Sequence, residues 1–353
     1  MRATVYLDPS VFVCPTPSDP IDEYVAKLEQ YIETLGSLRD RLKSSLFRLL
    51  TSRDTAGLLL VANCYPVYPS LRDGLQRAGL GEIYQPGDVV RLVDQLLREA
   101  NPIEDTVGVN AVIADPLNVT TPMEYVGDGA QRELQDYHYL TLAIGFYLGT
   151  LRPDLIWAVG RTKSANGRAA ESSTMIKVVG TIRDIELSDE EATVSIPLTI
   201  EVFIPCGASC KQLCIGLDLH KLSQDLTESS LVELITVALS QSPNADTSRS
   251  KLNWTVGSSF YESVVKLNLQ NNPAIFRALL AACTSTICAT EMSKTHALRT
   301  GPGGNNPQIK KDGACAWRRD IDREFHLHYW SRGESYEFAS CVVHNNFSIS
   351  DPT

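Results

Sequence analysis

Residues 317–347 read WRRDIDREFHLHYWSRGESYEFASCVVHNNF. This run joins a basic pair (Arg318, Arg319), three histidines (His326, His328, His344) and aromatic residues set at alternate positions. Alternation of that kind predicts strands, here Cys315–Ile321, Glu324–Trp330 and Ser335–Val343, with Arg332-Gly333-Glu334 as the hairpin turn between the last two. Successive strand side chains point to opposite faces, so His326 and His328 fall on one face together with Glu324 and Trp330. Imidazoles transfer protons near neutral pH, and guanidinium and ammonium groups hold anions. The alternative is that the histidines decorate an exposed sheet face or satisfy hydrogen bonds in a core.

Moving outward, Gln308–Lys310 is a further short strand and Lys251–Val256 begins a unit with alternating residues. Ser258 or Ser259 can cap a helix over Phe260–Asn268, and Pro273 opens a second helix over Ala274–Ala289. Thr300–Asn306, TGPGGNN, is a loop. Residues 246–353 thus run strand, two helices and an antiparallel sheet. Gln241–Ser250, polar and carrying Pro243, Asn244 and Asp246, marks the boundary before this unit.

The C-terminal unit resembles the RelE/YoeB-type mRNA interferase toxins. The resemblance lies in NPQIKKDGACAWRRDIDREFHLHYW and EFASCVVH, at Pro307, Lys310, Trp317, Arg319, Ile321, Glu324, Leu327, Tyr329, Ala339, Cys341 and His344. It implies an α+β RelE-like fold and metal-free cleavage of RNA, with no cofactor. In that chemistry a base takes the ribose 2′-hydroxyl proton, fixed cations stabilise the phosphorane and an acid protonates the leaving oxygen. His344, His326 and Arg319 are then the expected catalytic residues, with Lys310, Lys311, Arg318 and His328 as substrate-binding residues. Gln308 stands where the family carries its acidic base, His326 where it carries its key arginine, and Asn345 where it carries a tyrosine after the histidine. The resemblance also implies a toxin-like chain acting on RNA or the ribosome in a stress or phage-defence system, with a protein partner or antitoxin. A module that keeps the fold and binds a partner without cutting is the alternative.

The N-terminal part, residues 1–150, alternates strands and helices and reads as an α/β domain. Residues 3–13 and 57–67 (GLLLVANCYPV) read as buried strands and VNAVIAD (109–115) as a third. Asp22–Leu50 has helical spacing, with Ser18 or Asp19 as its cap; Leu71–Ala78, Val89–Glu99 (capped by Asp88) and Leu134–Leu148 are further helices. YLDPSVF followed by a helix resembles the start of PIN-type nucleases, which implies divalent metal held by acidic residues at strand ends. Asp8 and Asp115 are the candidates, with Asp40 or Glu33, against a structural role for each.

Residues 151–245 read as a strand-rich region closed by the helix Leu226–Ser240. DLIWAVG, MIKVVGTIRDIEL, ATVSIPLTIEVFIP and KQLCIGLDL are its expected strands. Arg161–Ser173 and Ser188–Glu191 are its polar loop and turn. Cys206, Cys210 and Cys214, four apart, with His220 nearby, offer soft ligands for zinc, or are half-buried thiols.

Composition bounds these readings. The chain has 353 residues, 43% hydrophobic, with a mean hydropathy of −0.09, which suits a soluble protein of two or three domains. No apolar run reaches membrane-spanning length, and no membrane partner is expected. MRATVYLDPSVFV lacks a cleavage-site pattern, and nine scattered cysteines suit reduced thiols, so a cytoplasmic place is expected. The net charge is −10. Asp246–Thr353 holds 12 Lys+Arg against 10 Asp+Glu, while the remainder holds 20 against 32. An acidic body with a mildly basic end argues against the whole chain coating DNA and allows a nucleic-acid site confined to the C-terminal part; the alternative is ordinary variation between domains.

Overall fold

All five residues of Ala3–Leu7 (β1) are buried, as both faces of a strand are only when layers cover each of them. The computed structural model describes residues 2–17, 20–162, 174–189, 194–242, 254–301 and 305–353, and is mixed α/β. The expected caps Ser18 and Asp19, the polar stretch 163–173 and most of the boundary 241–250 lie outside the described residues. The chain divides into two units, Arg2–Gly216 and Leu217–Thr353. Among the described residues no helix is long and apolar enough to cross a membrane.

In the first unit, β1 leads to α1 (Ile21–Asp40), which buries Tyr24, Leu28, Tyr31, Leu35 and Leu38 at helical spacing. β2 (Phe47–Thr51) follows, then α2 (Thr55–Val61), α3 (Tyr68–Arg77), α4 (Pro86–Glu99), β3 (Asn101–Pro102), α5 (Ile103–Val107), β4 (Val109–Ala114) and β5 (Asn118–Thr120). The unit closes with α6 (Ala130–Tyr147), β6 (Ile156–Val159), β7 (Thr174–Leu187), β8 (Leu198–Gly207) and α7 (Cys210–Gly216). One eight-stranded sheet holds all of its strands in the order β3-β2-β1-β6-β8-β7-β4, with β5 also on β7. Pairing is parallel from β3 to β8 and antiparallel around β7. A core cluster joins α6, through Tyr139, Leu140, Ala143 and Ile144, to Tyr6, Leu50, Ile156, Ile176 and Ile204.

This sheet corrects the expected division. Residues 151–245 are not a region apart from 1–150, because β6 pairs with β1 and β8 extends the same sheet; the division falls at Gly216/Leu217. Local corrections have local causes. The apolar run within 57–67 is helix α2 and not a strand, and the strand β2 occupies residues expected to continue α1. Ser44 Oγ accepts hydrogen bonds from Leu46 N and Phe47 N (both 3.0 Å), an alternative to helical bonding that turns the chain. KQLCIGLDL contributes helix α7, where Ser209 Oγ accepts from Gln212 N (3.4 Å). Asp88 lies inside α4 and does not cap it.

The second unit holds α8 (Leu219–Leu222), α9 (Glu228–Gln241), β9 (Trp254–Val256), α10 (Ser258–Lys266), α11 (Pro273–Ile287), β10 (Thr295–Ala297), β11 (Lys310–Lys311), β12 (Ala314–Asp320), β13 (Phe325–Arg332) and β14 (Ser335–Val343). Its sheet runs β10-β12-β13-β14-β9, with β11 beside β12. All pairs are antiparallel except β14 with β9. Asn272 caps α11, its Oδ1 accepting from Ala274 N and Ile275 N, and Pro273 occupies the first turn. Asp312 and Gly313 (φ 50 and 78) form a two-residue turn from β11 to β12. Gly333 (φ 61) opens the β13–β14 hairpin, as expected. Asn345 (φ 71) then turns the chain back across the sheet.

Candidate functional site on the second sheet

The register of the second sheet sorts its polar residues onto two faces. Arg318 pairs with His296 on one side and His328 on the other, and Asp320 pairs with His326. These residues share one face with His344, whose ring lies 4.8 Å from that of His326. Arg319 points to the opposite face. It is 1% exposed, and its guanidinium donates to Thr290 O (2.9 Å), Glu291 O (3.2 Å) and Thr295 Oγ1 (3.2 Å). A cation beside the carbonyls just past α11 complements that helix end. Arg319 is therefore a clamp behind the sheet and does not join His344 and His326 as the expected catalytic trio.

On the histidine face the chain end forms a strap. His328 Nδ1 donates to Ser348 O (3.0 Å), Trp330 Nε1 donates to Ser350 O (2.8 Å), and Lys311 pairs with Asp351. Phe347 and Ile349 pack against Leu298, Ala314, Ala316, Trp330 and Ala339. His328 is fully buried, and that burial pushes its pKa down to about 4. It was expected to bind substrate; the strap covers it, and it holds the strap in place. Lys310 and Lys311 are exposed on β11.

Beyond the strap lies a cavity of about 460 Å³ lined by Thr295, His296, Ala297, Arg299, Gly301, Arg318 and Phe347. Arg318 lies over the Phe347 ring, 5.9 Å from its centroid. His326 stands at the edge of this group, 2% exposed, with Nε2 3.2 Å from Asp320 Oδ1. Burial lowers its pKa; Asp320 opposes that shift, while Arg318, His344 and His296 add to it. Its Nε2–H donating to the carboxylate leaves the Nδ1 lone pair without a partner in the described structure. His296 and His344 are exposed. The face therefore sets two exposed imidazoles, His296 and His344, beside the buried His326 and the Arg318 cation. His296 is the member that the sequence reading missed, because it sits on a three-residue strand outside the histidine-rich run.

The acidic residues of the first unit do not converge. Asp8 ends β1 and is fully buried. Its carboxylate accepts from Ser10 N (2.9 Å), Gln135 Nε2 (2.9 Å), Ser10 Oγ and Tyr139 OH, so its lone pairs are already used. Burial raises its pKa despite these bonds. Asp115 follows β4, four strands away and so about 19 Å off at ordinary strand spacing. It pairs with Arg183 (2.7 Å), which holds its carboxyl below the usual range. Glu33 and Asp40 are exposed on α1. Among the described residues no three His, Cys, Asp or Glu side chains gather as a metal site requires. Cys206 and Cys214 lie on β8 and α7, His220 belongs to the second unit, and the Cys210 side chain is outside the described set.

No family model, curated protein or solved structure matches this chain.

Proposed function

We propose that the second unit is a RelE-like domain that acts on single-stranded RNA through the face carrying His296, Arg318 and His344. The observation that carries this reading is the His326–His344 pair, rings in tilted contact with centroids 4.8 Å apart, beside a cavity edged by Arg318. The order strand, two helices and antiparallel strands, with β9 returning beside β14, supports the fold. In the proposed reaction a ribose 2′-hydroxyl attacks the adjacent phosphorus and the bond to the 5′ oxygen breaks, giving a 2′,3′-cyclic phosphate and a 5′-hydroxyl. One exposed imidazole, His344 or His296, removes the 2′ proton; the other, protonated, supplies one to the leaving oxygen. Arg318 balances the growing charge on the phosphoryl oxygens. His326, whose ring touches that of His344 on the same face, positions it.

The test is cleavage of single-stranded RNA, and of translated message on ribosomes, by the full chain with a chelator present. His344→Ala and His296→Ala are each expected to slow cleavage by about 10²–10⁴-fold. Unchanged cutting in His344→Ala removes its assigned role.

A second reading has its own observation. Arg319 and Gln308, at positions where the resembled family has functional groups, are engaged in structure here: Gln308 Nε2 donates to Ala316 O (2.8 Å). The unit would then bind RNA or a protein partner without cutting. Wild-type protein that binds RNA, loses it on Arg318→Glu and never yields cyclic phosphate would favour this reading.

A further inference from the structure

The first unit contains a second site with a different chemistry. β3, β2, β1, β6 and β8 are consecutive parallel strands, and β1 lies at the point where the chain order reverses. After β1 the chain leaves for α1, whereas after β6 it heads toward β7, beyond β8. The two loops separate there, and sheets of this kind open a crevice at the carboxyl ends of such strands. A cavity of about 290 Å³ occupies that place. The buried Asp8 network fixes two of its lining segments: Ser10 Oγ donates to Asp8 and accepts from Arg161 N (2.9 Å), tying the loop after β1 to the loop after β6. A Cβ on Gly160 would come within 2.7 Å of Ser10 Oγ and 2.8 Å of Asp8 Cβ, so this close approach requires glycine.

The polar lining is balanced in charge. Glu23, Lys27, Gln30 and Thr34 line it from successive turns of α1, while Glu124 and Arg161 face it from the sheet side. Lys27 pairs with Glu23 (2.6 Å) and Arg161 with Glu124 (3.3 Å). Both pairs are partly exposed, so each is weak and its members can exchange partners with a ligand at little cost. Two carboxylates against two cations give a polyanion no net attraction, whereas a molecule with one group of each sign meets an opposite charge at both ends. Tyr31, held by its hydroxyl donating to Phe12 O (3.0 Å), and Val11 supply an apolar wall. The volume lies at the small end of ligand sites.

We infer that this crevice binds a zwitterionic small molecule of amino-acid to dipeptide size, with its ammonium on Glu23 or Glu124 and its carboxylate on Arg161 or Lys27. The test titrates the full chain, by calorimetry and thermal shift, with each of the standard free amino acids and a set of glycyl dipeptides. At least one is expected to bind with Kd below about 1 mM and to raise Tm. Its N-acetyl amide, which lacks both charges, should bind at least about tenfold more weakly. Gln30→Trp, which fills the cavity from an exposed helix position, and Lys27→Glu should each weaken binding by a similar factor with an unchanged circular dichroism spectrum. The proposal is overturned if no amino acid or dipeptide binds, if adenosine or uridine monophosphate binds in their place, or if Gln30→Trp leaves binding intact.

Discussion

At the scale of the residue, buried titratable groups link this chain's stability to pH. His328 has a folded pKa of about 4, below the ordinary histidine value, so the unfolded chain binds its proton first. Its contribution is fully present above the unfolded pKa and is lost as pH falls toward 4. Between pH 7 and 5 the loss should be about 2 kcal/mol from this residue. His138, pushed down to about 3 by burial in the first unit, acts in the same direction. Urea titrations at the two pH values check the slope, and His328→Phe should flatten it. Asp8 has the opposite sign, because burial raises its carboxyl; its contribution is present below the ordinary aspartate pKa and is lost as pH rises through the folded value. Even so, Asp8→Ala should cost about 3 kcal/mol, since it takes the buried acceptor from the Tyr139 hydroxyl, the Gln135 amide and Ser10 at once and leaves a cavity. A lowered Tm without any metal-dependent change in activity would mark Asp8 as a structural group.

At the scale of the element, the strap is the piece most open to test. Deleting Asn346–Thr353 removes the acceptors for His328 and Trp330 and the contacts of Phe347 and Ile349. We expect a loss of roughly 3 kcal/mol and a red-shifted Trp330 emission, read by denaturation followed by fluorescence. The strands of the second sheet were legible from alternation, because one residue in two meets a covered face. The strap was not, since NNFSIS has no period and its place depends on Asn345 taking a left-handed conformation. Arg319 also eluded reading: alternation separates it from Arg318, but only the packing of α11 tells which of the two is covered. Leu58–Val61 is a four-residue apolar run, too short for its period to separate helix from strand, and the same holds for Phe47–Thr51. The Arg332-Gly333-Glu334 turn, by contrast, was legible from its glycine between two alternating runs.

At the scale of the molecule, charge is divided as the chain is. Arg2–Gly216 holds 19 Lys+Arg against 28 Asp+Glu, and Leu217–Thr353 holds 13 against 14. Neither unit carries a net positive charge. The proposed RNA face offers Arg318 and Arg299 at its cavity, so few counterions are displaced on binding. The slope of log K against log salt should be about −1.4 for two phosphate contacts on a single strand, measured by fluorescence anisotropy over a salt series. A slope several times steeper would point to a broader basic surface than this face provides. The lateral edges of the second sheet are β9 on one side and β10 with β11 on the other, two or three residues each, and β3 at one edge of the first has two residues, one of them Pro102. Short edges give a neighbouring molecule few free N–H and C=O groups to zip onto. Both sheets are thereby guarded at these margins against the strand-to-strand aggregation that open sheets invite at high concentration.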